Sequence, residues 1–256
     1  MKRAEVFRDP DVSRAYRYRP GYPAETFELL GRIMVEPRIV LDVGAGSGAI
    51  ARDLLAHAHR VDAVDPSVAM IAEGRRLPHG DDPRLRWIVG TAEDALLDPP
   101  YGLITAGASL HWMDLARVIP RFADALVAGG KLAVLEVVDT PVGTAPWRAA
   151  ADAVIRKYSE LDVPVVDTTG DVLTELRTRE LWVQEGDELT APVHAETTIA
   201  DWLEWMHSTS THARIRLGAR APLFDEDIRE LFAGLGVSRL EFAVQGRVVW
   251  GSVGGA

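Results

Sequence analysis

Short apolar runs separated by glycine-rich or polar turns recur along the first 140 residues of the chain. The runs occur at positions 40–43, 61–64, 85–89, 101–106 and 131–138, and charged residues interrupt them only singly. A strand in a parallel sheet that is covered on both faces is typically apolar throughout, without strict alternation. The pattern therefore predicts an α/β fold built around a mostly parallel sheet.

Two further apolar segments lie near the end of the chain, at 239–244 and 247–250. Gln245-Gly246 separates them. A short glycine-containing pair between two strand-like segments is a typical hairpin signal. We therefore expect an antiparallel hairpin to close the sheet.

Glycine occupies every second position from Gly44 to Gly48, immediately after the first apolar run. Apolar residues resume at helical spacing from Ala49, so the order is strand, glycine loop, helix. Glycine permits a sharp turn with positive φ and lets a ligand approach the backbone where a Cβ would collide. Unpaired N–H groups at the start of the helix favour a polar or anionic ligand group. These features predict a nucleotide-like ligand.

The spacing of the loop distinguishes between nucleotide cofactors. A dinucleotide fingerprint reads Gly-x-Gly-x-x-Gly, whereas here the third glycine comes one residue early and Asp42 precedes the loop. Asp65 ends the second apolar run about 20 residues later, where a carboxylate binds a ribose in folds of this kind. The glycine spacing therefore suits a nicotinamide dinucleotide poorly. Asp65 is placed to bind the ribose of a different nucleotide-like ligand.

The chain resembles the class I S-adenosylmethionine-dependent methyltransferases in the run Leu41-Asp42-Val43-Gly44-Ala45-Gly46-Ser47-Gly48, in Asp65 and in Gly90-Thr91-Ala92-Glu93-Asp94. The pattern Tyr-x-x-Arg-Pro-x-Tyr-Pro from Tyr16 is similar to a small-molecule branch, methyltransferase type 11, that includes trans-aconitate methyltransferase-like proteins. The resemblance implies a Rossmann-like, doubly wound, mostly parallel seven-stranded sheet with an antiparallel C-terminal hairpin strand and a helical insertion after the fifth strand. It also implies S-adenosylmethionine as cofactor, bound by Tyr16, Arg19, Asp42, Gly44, Ala45, Gly46, Asp65, Pro66, Ala92, Glu93 and Ala108.

We predict a single methyltransferase domain over residues 1–256, with an N-terminal lid segment at 1–36 and a substrate-covering insertion at 140–222. The segment from Tyr16 to Pro23 has two interpretations. It is either a solvated turn with two prolines or a lid in which Arg19 holds the cofactor's carboxylate through two parallel hydrogen bonds.

The predicted insertion holds four of the seven tryptophans, so it is more than a solvated linker. Thr198 and Asp201 form a capping box, and the apolar stripe that follows has the spacing of ordinary helix packing. An insertion at the carboxyl ends of the strands is also well placed to close a cleft over a substrate. The residues predicted to line the substrate pocket are Tyr22, Trp112, Trp202, Trp205 and His207.

His111 is the candidate catalytic residue. It follows the fourth predicted strand, so we expect it near the reacting methyl group, where a histidine can take a proton from a hydroxyl or amine near neutral pH. The alternative is a histidine that orients its loop through hydrogen bonds to the backbone. The sequence leaves both roles open.

Composition narrows the class of partner. Asp and Glu number 38 against 28 Lys and Arg, for a net charge of −10, and clustered basic residues that would bind nucleic acid are absent from the sequence.

The chain has no cysteine, which excludes disulfides and thiolate chemistry, and no pair of histidines has metal-ligand spacing. It shows neither a signal-peptide core nor a membrane-spanning run, so we expect a cytoplasmic protein that binds no membrane.

Together these features predict a methyltransferase that acts on a small molecule through an oxygen, nitrogen or carboxylate acceptor. Because the sulfonium of S-adenosylmethionine is an activated electrophile, alignment of the reactants and exclusion of water are its main requirements. The alternatives are an NAD-dependent oxidoreductase and a methyltransferase-like protein that binds the cofactor without turnover.

Overall fold

The computed structural model describes residues 3–159 and 168–254 of the chain. The chain forms two compact units, each assembled from three segments. The first, which we call the sheet unit, comprises Gly21–Val138, Val166–Ala191 and Gln245–Ala256; the second, the helical unit, comprises Met1–Pro20, Asp139–Val165 and Pro192–Val244.

The strands confirm the predicted α/β class. They are β1 (Ile39–Val43), β2 (Arg60–Asp65), β3 (Leu85–Val89), β4 (Tyr101–Gly107), β5 (Leu126–Pro141), β6 (Trp182–Leu189), β7 (Val193–Thr198) and β8 (Arg239–Val253). The order in the sheet is β3-β2-β1-β4-β5-β8-β6, and β7 pairs with β8. Strands β3, β2, β1, β4 and β5 pair in parallel, whereas β6 and β7 run antiparallel to β8.

Helices follow most of the parallel strands. They are α1 (Pro10–Ala15), α2 (Ala24–Ile33), α3 (Ala51–Leu54), α4 (Val68–Gly74), α5 (Leu115–Ala125), α6 (Trp147–Tyr158), α7 (Thr168–Thr178), α8 (Ile199–His207), α9 (Arg214–Leu217) and α10 (Ala221–Gly234). Ser67 caps α4 and Asp114 caps α5, because each side chain accepts a hydrogen bond from an N–H of the first turn.

Alternate residues of the central strands pack into two separate apolar clusters of the sheet unit. On β1, Leu41 and Val43 belong to one cluster and Val40 to the other. All three side chains are fully buried, and burying each is worth about 1.5–3 kcal/mol. Apolar side chains on both faces explain the continuous apolar pattern, and they make the central strands a rigid platform for the loops at their ends.

The turn expected at Gln245-Gly246 is wrong, because β8 runs without interruption from Arg239 to Val253. The expected antiparallel C-terminal strand is confirmed, since β8 pairs antiparallel with β6 and β7. Gly246 lies inside this strand rather than in a turn. A Cβ on Gly246 would lie 2.1 Å from the Thr26 hydroxyl oxygen, and its N–H donates to the Thr190 hydroxyl at 2.9 Å. Glycine is therefore needed at position 246 because Thr26 approaches it closely.

An aromatic cluster forms the core of the helical unit. Trp147 lies edge-on to Trp202 and Phe242, with ring centroids 6.5 and 6.0 Å away, and packs on Phe232 at 5.7 Å. The predicted cap of α8 is confirmed, since the Thr198 hydroxyl accepts the Asp201 N–H at 3.1 Å and donates to the Asp201 carboxylate at 2.8 Å. Among the described residues, no helix combines the length and apolar character that crossing a membrane requires.

Candidate functional site

The glycine loop connects the carboxyl end of β1 to α3, and its three glycines have different constraints. Gly44, Gly46 and Gly48 all have positive φ, at 64°, 57° and 78°. A Cβ on Gly44 would lie 2.5 Å from the Cβ of Ser109, whereas a Cβ on Gly46 would meet no atom within 4 Å. Gly44 is therefore fixed by packing, and the open side of Gly46 leaves its backbone accessible to a ligand.

Asp65, at the carboxyl end of β2, is bonded to this loop. One carboxylate oxygen accepts the Gly46 N–H at 2.8 Å, and the other accepts the Ser67 N–H at 2.7 Å. Burial raises the pKa of Asp65, and the two N–H donors partly offset that rise. Each carboxylate oxygen keeps a further lone pair, so the group can still accept hydroxyl donors such as those of a ribose.

Asp42, on β1, is the most unusual polar side chain of the site. It is only 1% exposed, and its Oδ1 accepts a hydrogen bond from the Thr105 hydroxyl on β4 at 2.8 Å. Its Oδ2 is buried without a hydrogen-bond partner. Burial raises the pKa of Asp42 to about 7; the Thr105 hydroxyl and the Ala51 N–H partly oppose this rise, and the negative charge of Asp65 adds to it. An orphaned oxygen of this kind is expected to be satisfied by a ligand.

Ser109 is a site residue that sequence reasoning missed. Its hydroxyl donates to the carbonyl of Val43 at 2.7 Å, which ties the loop after β4 to the end of β1. Ala108, just before it, is exposed and adopts φ of 47°. A lone serine after a strand carries no recognisable signal; its hydrogen bond to Val43 and its packing against Gly44 show its role.

His111 and Trp112 lie in the short 3-10 turn Leu110–Trp112 that follows β4. Their ring centroids are 4.5 Å apart, His111 is half-buried and Trp112 is 38% exposed. Glu93 accepts the Asp114 N–H at 2.9 Å, so this predicted cofactor-binding residue is bonded to the residues that follow the turn.

Tyr22 lies at the same end of β4. Its hydroxyl oxygen is 2.9 Å from the position that a Cβ on Gly107 would take, and Ile50 fills the space on the other side at 2.5 Å. Residues predicted for cofactor, substrate and catalysis thus meet at the carboxyl ends of β1, β2 and β4, within the sheet unit.

Tyr16 and Arg19 lie in the helical unit, where they contact each other and α8. The Arg19 guanidinium lies 4.0 Å from the Tyr16 ring centroid. It donates to the Ser208 hydroxyl at 2.7 Å, to the Ser208 carbonyl at 2.8 Å and to the Tyr16 hydroxyl at 3.1 Å. These bonds attach the N-terminal segment to the end of α8, and cofactor binding by the pair stays a prediction.

The other predicted pocket residues of the helical unit make contacts typical of a core. Trp202 packs on Phe232 and Trp205 on Phe242, with ring centroids 5.8 and 5.6 Å apart. His207 is 1% exposed, and its two ring nitrogens lie 2.8 Å from the His212 carbonyl and 2.7 Å from the Asp225 carboxylate. Their contact with a substrate stays a prediction.

The sheet-unit site fits S-adenosylmethionine on three counts. Asp65 has lone pairs left for ribose hydroxyls, Gly46 has an open side for close approach of a nucleoside, and Asp42 has an orphaned oxygen for a cationic group. In the described part of the chain, no group of three or more His, Asp or Glu side chains is arranged to hold a metal ion.

Comparisons with known proteins agree with this geometry. Residues 40–130 match the family model described as a methyltransferase domain. That range contains the glycine loop, Asp65, Glu93 and His111.

Two curated relatives each match 46% of the chain. An uncharacterized methyltransferase of Mycobacterium tuberculosis is 35% identical over 120 residues, which cover 46% of this chain and 47% of that protein. A malonyl-[acyl-carrier protein] O-methyltransferase of Xylella fastidiosa is 36% identical over 123 residues, 46% of this chain and 41% of that protein. The chain thus matches about half the length of these relatives.

Solved structures show the fold over nearly the whole chain. A putative type II methyltransferase from Anaeromyxobacter dehalogenans has a TM-score of 0.66 at 22% identity, covering 91% of this chain and 97% of that one. A putative methyltransferase of an antibiotic biosynthesis pathway from Anabaena variabilis has a TM-score of 0.53 at 16% identity, covering 90% and 97%. The glycine loop and the two site carboxylates thus lie in a region that matches a methyltransferase domain, and these findings together support a class I S-adenosylmethionine-dependent methyltransferase.

Proposed function

We propose that this protein transfers a methyl group from S-adenosylmethionine to an oxygen, nitrogen or carboxylate acceptor on a small molecule. The observation that carries the proposal is the convergence of Asp42, Gly46 and Asp65 at the ends of neighbouring parallel strands. When bound, the cofactor supplies an activated methyl group. The protein's task is then to align the acceptor with that group and to exclude water.

In this assignment each part of the site has a distinct role. The Asp65 carboxylate accepts ribose hydroxyl protons, the Gly46 backbone permits close approach of the nucleoside, and Ala92 and Glu93 contact the base. The Asp42 carboxyl group would hold the positively charged amino-acid part through its unsatisfied oxygen. Support comes from the burial of Asp42 and from the bonds that hold Asp65 against the loop.

His111 is proposed as the general base for acceptors that must lose a proton. A hydroxyl or a protonated amine needs such a base, whereas a carboxylate is already ionised at neutral pH. Its half-buried position after β4, beside the partly exposed Trp112, supports this role. Trp112 supplies a flat apolar wall for the acceptor.

The relatives do not identify the acceptor, because each matches less than half of this chain. Malonyl-[acyl-carrier protein] O-methyltransferases are among them, which keeps a carboxylate acceptor among the candidates. Arg214, Arg216 and Arg220 lie close together in the chain and are candidate contacts for an anionic acceptor.

Two measurements test the proposal. Calorimetry with S-adenosylhomocysteine and with NAD should show binding of the first and none of the second; tighter binding of NAD would favour an oxidoreductase. Incubation with methyl-labelled S-adenosylmethionine and a metabolite extract should transfer label to a small molecule. A protein that binds the cofactor yet labels nothing would be a catalytically silent binder.

A further inference from the structure

The carboxyl group of Asp42 is poorly satisfied in its ionised form. A carboxylate can accept about four hydrogen bonds, whereas Asp42 has the Thr105 hydroxyl on Oδ1 and a smaller stabilising contribution from the Ala51 N–H, and Oδ2 has no partner of hydrogen-bond geometry. Within the described residues Asp42 makes no ion pair. The negative charge of Asp65 raises the pKa of Asp42, because a second negative charge nearby is unfavourable. A buried, unpaired carboxylate is costly, so the ligand-free protein favours the neutral acid.

The cofactor carries the charge that this arrangement lacks. S-adenosylmethionine and S-adenosylhomocysteine both have an ammonium group in their amino-acid part, and the former adds a sulfonium. A cation beside Oδ2 would stabilise the carboxylate and lower the pKa of Asp42. Ligand binding and proton loss would then be thermodynamically linked.

We propose that cofactor binding releases a proton from Asp42, so that the neutral acid of the ligand-free protein becomes the carboxylate that pairs with the bound cation. The proton passes to solvent, and no covalent bond other than O–H is broken. This inference rests on the proposed function and adds a regulatory property to the same site.

Asp65 is less suited to be the group that loses the proton. Its two oxygens already accept N–H groups from Gly46 and Ser67, and both bonds favour the ionised form. Its expected partners on the ligand are ribose hydroxyls, which are neutral. Binding of a nucleoside without a cation therefore reports on Asp65 but leaves Asp42 neutral.

The linkage predicts a distinctive pH profile. With burial raising the pKa of Asp42 to about 7, most of the ligand-free protein carries this proton at pH 6 and little of it does at pH 8. Below the pKa, affinity for S-adenosylhomocysteine should fall about tenfold for each unit decrease in pH. Above it, affinity should level off.

Calorimetry in two buffers of different ionisation enthalpy counts the released protons. With S-adenosylhomocysteine we expect about one proton released at pH 6 and almost none at pH 8. Methylthioadenosine, which has the nucleoside but no ammonium group, should release none at either pH. The Asp42→Asn variant should lose the release at pH 6, whereas Asp81→Asn, at an exposed loop position, should keep it. Thr105→Val removes the hydroxyl donor, and it should move the midpoint to higher pH.

The outcomes separate this inference from the proposed function. Binding of S-adenosylhomocysteine without proton release at pH 6 would overturn the linkage and leave the methyltransferase assignment intact. Equal release with methylthioadenosine, or full release from Asp42→Asn, would also overturn it. Absence of S-adenosylhomocysteine binding at both pH values would reject the proposed function and the linkage together.

Discussion

Asp65 combines a predicted binding role with a structural one, because its carboxylate holds the Gly46 and Ser67 N–H groups. Asp65→Ala should therefore reduce affinity for S-adenosylhomocysteine at least tenfold, since hydrogen bonds to a charged group are worth about 1.5–3 kcal/mol each. It should also lower the melting temperature of the ligand-free protein, because two N–H groups lose their acceptor. Calorimetry and thermal unfolding test both effects, with Asp81→Ala as the control. Unchanged affinity would place Asp65 outside the cofactor site.

Asp42 is expected to cost stability at neutral and higher pH. Its pKa in the folded protein, about 7, lies above the usual 3.8, so the folded state holds the proton more tightly than the unfolded state. The contribution of Asp42 to stability is therefore greatest below about pH 4 and is lost as the pH rises through 7. Asp42→Asn removes this dependence, and its gain in melting temperature over the wild type should increase from pH 5 to pH 8. If the melting temperatures of the two proteins changed with pH by the same amount, the raised pKa of Asp42 would be contradicted.

His111 can be tested by comparing two substitutions. If the imidazole accepts a proton from a hydroxyl acceptor, His111→Ala should reduce turnover by about 10² to 10⁴ while cofactor affinity changes little. His111→Gln should not restore the rate. If the side chain only orients the loop or the acceptor, glutamine keeps one hydrogen bond and should recover much of the activity. Single-turnover kinetics at saturating cofactor distinguish the two roles.

Residues in a contiguous motif were accessible from the sequence, and those defined by long-range packing were not. Asp42 lies near the end of the first strand-like run, Gly46 lies in the loop that follows it and Asp65 directly follows the second run, and the structure places all three at neighbouring strand ends. Ser109 is 65 positions beyond Gly44, and only the 2.5 Å approach of its Cβ to the space beside Gly44 connects them. The orphaned oxygen of Asp42 likewise depends on what surrounds it in three dimensions.

At the level of elements, the parallel strands were predictable because both of their faces are buried. The predicted run 85–89 coincides with β3, whereas β5 extends beyond the predicted 131–138 at both ends. The failed prediction concerns β8, where a glycine was interpreted as a turn. Gly246 is extended and adjoins Thr26, a neighbour 220 positions earlier in the chain that no local pattern reveals.

Gly246→Ala should therefore destabilise the protein, although alanine normally suits an extended strand better than glycine. The new methyl group would lie 2.1 Å from the Thr26 hydroxyl oxygen, a contact that forces the strand or α2 to shift. Combining it with Thr26→Ala should recover part of the loss. Gly234→Ala in α10 is the control, since a Cβ there meets no atom within 4 Å. Denaturant unfolding tests the series, and equal stability of Gly246→Ala and wild type would contradict the packing argument.

At the level of the whole molecule, the sequence separates the nucleotide-binding frame from the segments at 1–36 and 140–222. In the structure, boundaries between the two units fall after Pro20 and after Val138. Helix α7 and strand β6 lie within residues 140–222 but belong to the sheet unit. Strand β6 joins the sheet by pairing with β8, which lies more than 50 residues later in the chain. Periodicity identifies an element but not its partner, so such groupings cannot be derived from local patterns.

Cofactor binding should leave a discontinuous footprint along the chain. The candidate site combines the glycine loop, the end of β2 and the turn after β4, so S-adenosylhomocysteine should slow backbone hydrogen exchange at 44–50, 65–70 and 107–113. Residues 182–189 in β6 belong to the same unit but to the opposite edge of the sheet, and their exchange should change little. NAD should protect none of these segments. Protection that is equal in β6 and in the glycine loop would indicate general stabilisation rather than a site at the strand ends, and Asp65→Ala should weaken the footprint in all three segments together because one ligand produces it.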